Sequence, residues 1–203
     1  RGSRLHAGRS LPRRIAERAT PLRSRFPWSH GRTLRHAASG SRRALQVHSQ
    51  LPPAPQVGAA HRLHVADADD STLEQLIDLN LRTTFTVCRA VAPILIAAGD
   101  GAIVNIAARA AIKGESGNGV YGATKAGVIA LTQSLSEELK GDGINVNAVL
   151  PSIIDTPANR ITMPKSDPNS WVDPDDLAKV IVFLASKEAG SIHGAAIPVY
   201  GLS

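Results

Sequence analysis

The chain has 203 residues, a mean hydropathy of −0.05 and a formal charge of +6, long enough for one domain with a substantial core. That charge is a composite: thirteen arginines face a single acid, Glu17, through Arg62, whereas the remainder holds ten basic residues against sixteen acids. The lone Cys88 excludes an internal disulfide and makes a reducing, cytoplasmic location the expectation.

Residues 1–62 keep neither the helical nor the strand period. Pro12, Pro21, Pro27 and the run Leu51-Pro52-Pro53-Ala54-Pro55 interrupt them, with Arg, Ser, Gly and His between. The expectation is an Arg/Pro-rich irregular or disordered segment, foreign to the fold that follows, of the kind an altered reading frame or a misplaced gene start produces. It has no zinc-finger spacing, recognition-helix pattern or interleaved aromatics, so no specific nucleic-acid partner is expected. The sequence shows no long apolar run, so no membrane partner is expected either. The histidines here are scattered, and His193 has no Cys, Asp or second His at ligand spacing; no metal is predicted.

The character changes at about Leu63. Ser71-Thr72-Leu73-Glu74 has the form of a capping box, and Leu73, Leu76, Ile77, Leu81, Phe85, Cys88, Val91 and Leu95 then recur at steps of three and four. This predicts a helix from Thr72 to about Ala98. Gly101 to Ala107 is a short, nearly continuous apolar run, a buried parallel strand. A loop with Gly114, Gly117 and Gly119 leads to a second helix from about Asn118 to Leu139, ended by Gly141 and Gly143. Ile144 to Leu150 is a further strand stopped by Pro151. After an irregular passage, Asp173-Pro174-Asp175-Asp176 caps a third helix, and Ala195 to Val199 is a last strand whose Pro198 suggests a sheet edge. Residues 63–203 thus form an α/β domain, an incomplete doubly wound, Rossmann-like parallel sheet.

The chemistry is concentrated in Val120-Tyr121-Gly122-Ala123-Thr124-Lys125. Tyr121 and Lys125 lie one helical turn apart, so a phenol and an ammonium reach one cleft. A nearby positive charge is expected to lower the tyrosine pKa and let Tyr121 exchange a proton with a carbonyl oxygen. Gly122 and Ala123 leave room for a ligand against the helix.

With Asp78-Leu79-Asn80, the strand Ile103 to Ala107 and the passage Pro151 to Thr156 in this order, residues 65–203 resemble the short-chain dehydrogenase/reductase family. The resemblance implies hydride transfer with NAD(P)H. It assigns Tyr121 as acid/base, Lys125 as its electrostatic partner on the nicotinamide ribose, Asn80 as holder of a proton-relay water, and Pro151 and Thr156 as cofactor contacts. It also implies a homo-oligomer built on the helices from Thr72 and Asn118.

Two departures stand out. The family's substrate-positioning serine is replaced by Ala108, which has no hydroxyl to polarise a carbonyl; Ser116 is a nearby substitute. Within the family this is similar to quinonoid dihydropteridine reductases, with which the likeness continues through Asp155-Thr156-Pro157-Ala158-Asn159-Arg160, Met163-Pro164 and Ser170-Trp171. The implied substrate is a quinonoid dihydropterin or a carbonyl compound, a 3-oxoacyl-type compound included. The glycine-rich turn that receives the cofactor pyrophosphate is also missing, which leaves room for a cofactor-free remnant acting through protein interaction. On the substrate side, Met163 and Trp171 are lid candidates. Arg109 and Lys113 would meet an anionic substrate, although solvation is the simpler expectation for loop cations.

Overall fold

Strand β2 (Ile144–Pro151) is buried at every position, which is why its side chains are apolar except for Asn145 and Asn147. In the computed structural model, which describes residues 63–203, it is the middle of three strands in the order β1–β2–β3. β1 (Gly101–Ile106) and β3 (Ala196–Val199) run parallel to it, with Ile103 opposite Val146 and Ile197 opposite Val149. Pro198, with no N–H to give a neighbour, stands on an edge strand as expected.

The helices cover both faces. Ile144 and Val146 pack with Cys88, Leu95, Leu135 and Leu139 on one side, and Val149 with Val172, Leu177 and Leu184 on the other. The first helical stretch differs from its expected form. It begins two residues earlier than the capping-box reading implies, because the carboxylate of Asp69 accepts from Thr72 N at 2.8 Å and from the Ser71 hydroxyl at 3.0 Å. α1 (Asp70–Leu76) passes through a π-helical segment, Ile77–Arg82, into α2 (Thr83–Ala98), which Gly99 closes at φ 66°. By length and composition this 29-residue stretch could cross a membrane, contrary to the expectation that the chain lacks such a run. Leu76, Cys88 and Leu95 nonetheless face the domain's own core, while Phe85, Val87, Ile94 and Ile96 are exposed.

α3 (Gly119–Leu139) crosses from β1 to β2, and α5 (Pro174–Leu184) follows its cap Asp173 as predicted. The passage after β2 is less irregular than expected. Thr156 accepts from Asn159 N at 3.2 Å and caps α4 (Pro157–Thr162), with proline in its first turn.

Candidate active site

Because the strands are parallel, β1 and β2 end on the same side of the sheet, and the chain leaves both there. A cavity of about 480 Å³ opens at those carboxyl ends, lined among others by Ala108, Arg109, Tyr121, Lys125, Pro151 and Met163. β1 delivers Ala107 and Ala108; β2 delivers Pro151; α3 supplies the tyrosine and the lysine from its first two turns.

Tyr121 and Lys125 face the same cavity, as their spacing predicts, with the Lys125 Nζ 5.9 Å from the tyrosine ring centroid. The Tyr121 hydroxyl makes no hydrogen bond among the described residues. Lys125 Nζ instead donates to the Ile106 carbonyl at 3.0 Å, a bond between the end of β1 and the second turn of α3. The electrostatics correct the expectation of a lowered tyrosine pKa. Burial raises the Tyr121 phenol above its ordinary value, and burial pushes Lys125 down to about 8. Desolvation disfavours both charged forms, and the ammonium is hydrogen-bonded to a peptide oxygen instead of the phenol.

Gly122 is there for the fold, not for a ligand. A Cβ on it would lie 2.6 Å from the Ala110 carbonyl oxygen, so only glycine lets α3 approach the loop after β1 this closely. That contact sets Tyr121 beside Ala108.

Asn80 lies in the π-helical segment and reaches α3, where its Nδ2 donates to Thr124 Oγ1 at 3.2 Å while that hydroxyl donates to the Tyr121 carbonyl at 2.8 Å. It braces the turn that carries the tyrosine and does not line the cavity. Thr156 serves α4 as a cap, and it too lies outside the cavity lining. Trp171 is buried, with the Gly201 backbone packed against its carbonyl, and is no lid; Ser116 is exposed and outside the lining.

Arg109 departs furthest from its expected solvation. Its Nε and Nη2 donate to Glu115 Oε1 at 3.2 and 3.0 Å, its guanidinium lies 5.8 Å from the Tyr200 ring centroid, and its side chain is only 20 % exposed. Lys113, in contrast, is exposed. Glu115, Asn118, Asn159 and Gln75 also line the cavity. Sequence reading passed over them as loop and helix-surface polar residues; only the Arg109–Glu115 spacing across a glycine-rich loop hinted at an ion pair. Among the described residues no His, Cys, Asp and Glu cluster could hold a metal.

The model of the enoyl-(acyl carrier protein) reductase family matches residues 54–201. A (3R)-3-hydroxyacyl-CoA dehydrogenase from Rattus norvegicus is 38 % identical over 149 residues, 68 % of this chain and 56 % of the relative. Among solved structures, a short chain dehydrogenase/reductase family protein superposes with a TM-score of 0.64 at 35 % identity, covering 68 % of this chain and 60 % of that one. A carveol dehydrogenase from Mycobacterium avium, in complex with NAD, superposes with a TM-score of 0.62 at 27 % identity, covering 68 % and 58 %. The chain therefore spans little more than half the length of these relatives.

Proposed function

The chain belongs to the short-chain dehydrogenase/reductase family, and we propose that it carries the reacting end of an NAD(P)-dependent reductase acting on a carbonyl compound. The observation that carries this reading is the Tyr121 hydroxyl, unpartnered among the described residues, beside Lys125 in one cavity at the carboxyl ends of parallel strands.

The cavity suits the nicotinamide end of the cofactor in size and in donors. The nicotinamide ribose would be held by Lys125 and Tyr121, in the cavity that Pro151 also lines, while Thr156, outside that lining, would act on the site only as the cap of α4. When bound, the cofactor supplies the hydride. Tyr121, kept protonated by burial, supplies the proton to the carbonyl oxygen. Lys125, still mostly protonated at neutral pH, stabilises the phenolate left behind, and Asn80, through Thr124, braces the turn that carries Tyr121. A 3-oxo compound agrees with the hydroxyacyl relative.

A quinonoid dihydropterin is favoured by one observation of its own. Ala108 is 7 % exposed, lines the cavity and offers no hydroxyl to a ketone. Against both enzymatic readings stands the cofactor-free interaction protein, favoured by the lack of a glycine-rich strand-to-helix turn among residues 63–203. The exposed Phe85, Val87, Ile94 and Ile96 of α2 support self-association into a homo-oligomer through that helix.

Calorimetric titration of the full chain with NADH and NADPH, followed by the absorbance of the reduced nicotinamide with acetoacetyl-CoA or quinonoid dihydropterin added, tests the proposal. The expected result is cofactor binding in wild type, retained but weaker in Y121F, with turnover lost by at least about 100-fold in Y121F. A folded chain that binds neither cofactor overturns the reductase reading in favour of an interaction role. Turnover of the pterin alone replaces the 3-oxo substrate.

A further inference from the structure

Among the described residues three charged side chains line the cavity: Arg109, Lys125 and Glu115. The carboxylate is already occupied on both oxygens, Oε1 by Arg109 and Oε2 by Asn118 Nδ2 at 3.0 Å. The guanidinium is not. Its two hydrogen bonds run from Nε and Nη2 to that single oxygen, so three of the five N–H groups of Arg109 have no partner among the described residues. They belong to a side chain that cannot swing away, held between Glu115 on one side and the Tyr200 ring on the other.

The first turn of α3 opens onto the same space through Asn118, Val120 and Tyr121, and its unpaired backbone N–H groups add positive potential at the cavity. Ala108, immediately before Arg109, contributes no polar group. The polar anchor on this side of the cavity is thus a fixed, planar, half-used guanidinium, a geometry suited to a carboxylate.

We propose that Arg109 is a specificity-determining residue that binds the carboxylate of the substrate, so that the preferred carbonyl compound is a keto acid and not its neutral ester. This rests on the reductase reading, whose proton donor Tyr121 lines the same cavity. Glu115 has two opposed effects: it orients the guanidinium, and its charge weakens the pull on an incoming anion. The substrate's carboxylate then meets Arg109 while its carbonyl remains for Tyr121.

The test compares acetoacetate with methyl acetoacetate, which share a carbonyl and differ in charge. Binding is read by ligand-detected NMR on the full chain with NADH present, and turnover by NADH oxidation. Wild type is expected to prefer the acid by on the order of tenfold. R109M brings the ratio near one by weakening the acid alone, R109K gives an intermediate ratio because it keeps the charge and loses the fork, and E115Q widens the ratio. If R109M weakens both ligands equally, or E115Q weakens both equally, Arg109 is only a loop staple and the proposal is overturned. Absence of binding by either ligand overturns it too. The two readings fail separately: turnover of both ligands at a ratio near one removes the Arg109 subsite alone, whereas a binding preference for the acid with no NADH oxidation keeps the subsite and removes the reductase. Thermal midpoints of R109M and E115Q check folding, and R109K and E115Q carry the comparison if R109M does not fold.

Discussion

The amino and carboxyl ends of β2 and β3 treat polar side chains in opposite ways. At the amino end, Asn145 Nδ2 donates to the Ala189 carbonyl at 2.7 Å, Asn147 Nδ2 donates to the Ile192 carbonyl at 2.8 Å, and Asn147 Oδ1 accepts from Ala195 N at 2.9 Å. Both asparagines are sealed, at 1 % and 0 % exposure. At the carboxyl end the Tyr121 hydroxyl and part of the Arg109 guanidinium have no partners among the described residues, and Lys125 spends one N–H on a carbonyl. The asparagines are buried and paired and so belong to the fold, whereas the groups at the carboxyl end face the cavity, where solvent or a ligand can reach them; among the described residues the buried side-chain polar atom without a partner is Ser136 Oγ.

Substitutions should separate the two ends. The largest effect is expected from Asn147→Ala, which orphans the Ala195 N–H and leaves the Ile192 carbonyl only the longer bond from Asn145 Nδ2 at 3.3 Å; urea unfolding should show a loss of about 3 kcal/mol. A loss under about 1 kcal/mol would mean that water replaces the amide and that the amino end is not closed. Next comes Gly122→Ala, whose Cβ would meet the Ala110 carbonyl oxygen at 2.6 Å. A destabilisation of about 2 kcal/mol is expected, with activity falling further than stability because Tyr121 moves with the helix. Unchanged unfolding would show that the loop after β1 yields easily.

Lys125 gives the smallest effect, a slope with pH. Its pKa is about 8 in the fold against an ordinary 10.5, so between these values the unfolded chain binds more protons and stability rises with pH. Tyr121 acts in the other direction, since a raised phenol pKa contributes stability that is lost above its ordinary value of 10. The urea midpoint should therefore climb from pH 8 towards pH 10 in wild type, and that climb should be absent in Lys125→Met. The same variant should be no less stable than wild type at pH 7, because it removes the desolvation cost of the ammonium. Identical pH profiles for the two proteins would refute the burial of the amine.

Much of the fold was legible because it follows local periods. The stripe Leu76, Cys88, Leu95 and the runs at residues 101–107 and 144–150 each state a face or a buried strand within a few residues. Asp69 and Thr156 show where that reading slipped. Both are N-caps of the expected residue types, yet one competed with a neighbouring capping box and the other stood in a stretch too short to show a helical period. The π-helical turn under Asn80 has no local signature, since it depends on how α1 and α2 pack against α3. The expectations for residues 1–62, their irregular character included, fall outside the described residues.

The sequence by itself determined the α/β class, the family, and the meeting of Tyr121 with Lys125, because one helical turn brings together any two side chains four apart. Only the tertiary structure decided that the phenol holds its proton more tightly, that Arg109 is clamped and half-used, and that Trp171 lies away from the cavity. Desolvation and pairing are sums over neighbours as distant in the chain as Ile106 from Lys125 or Arg109 from Tyr200, and no local pattern contains those sums.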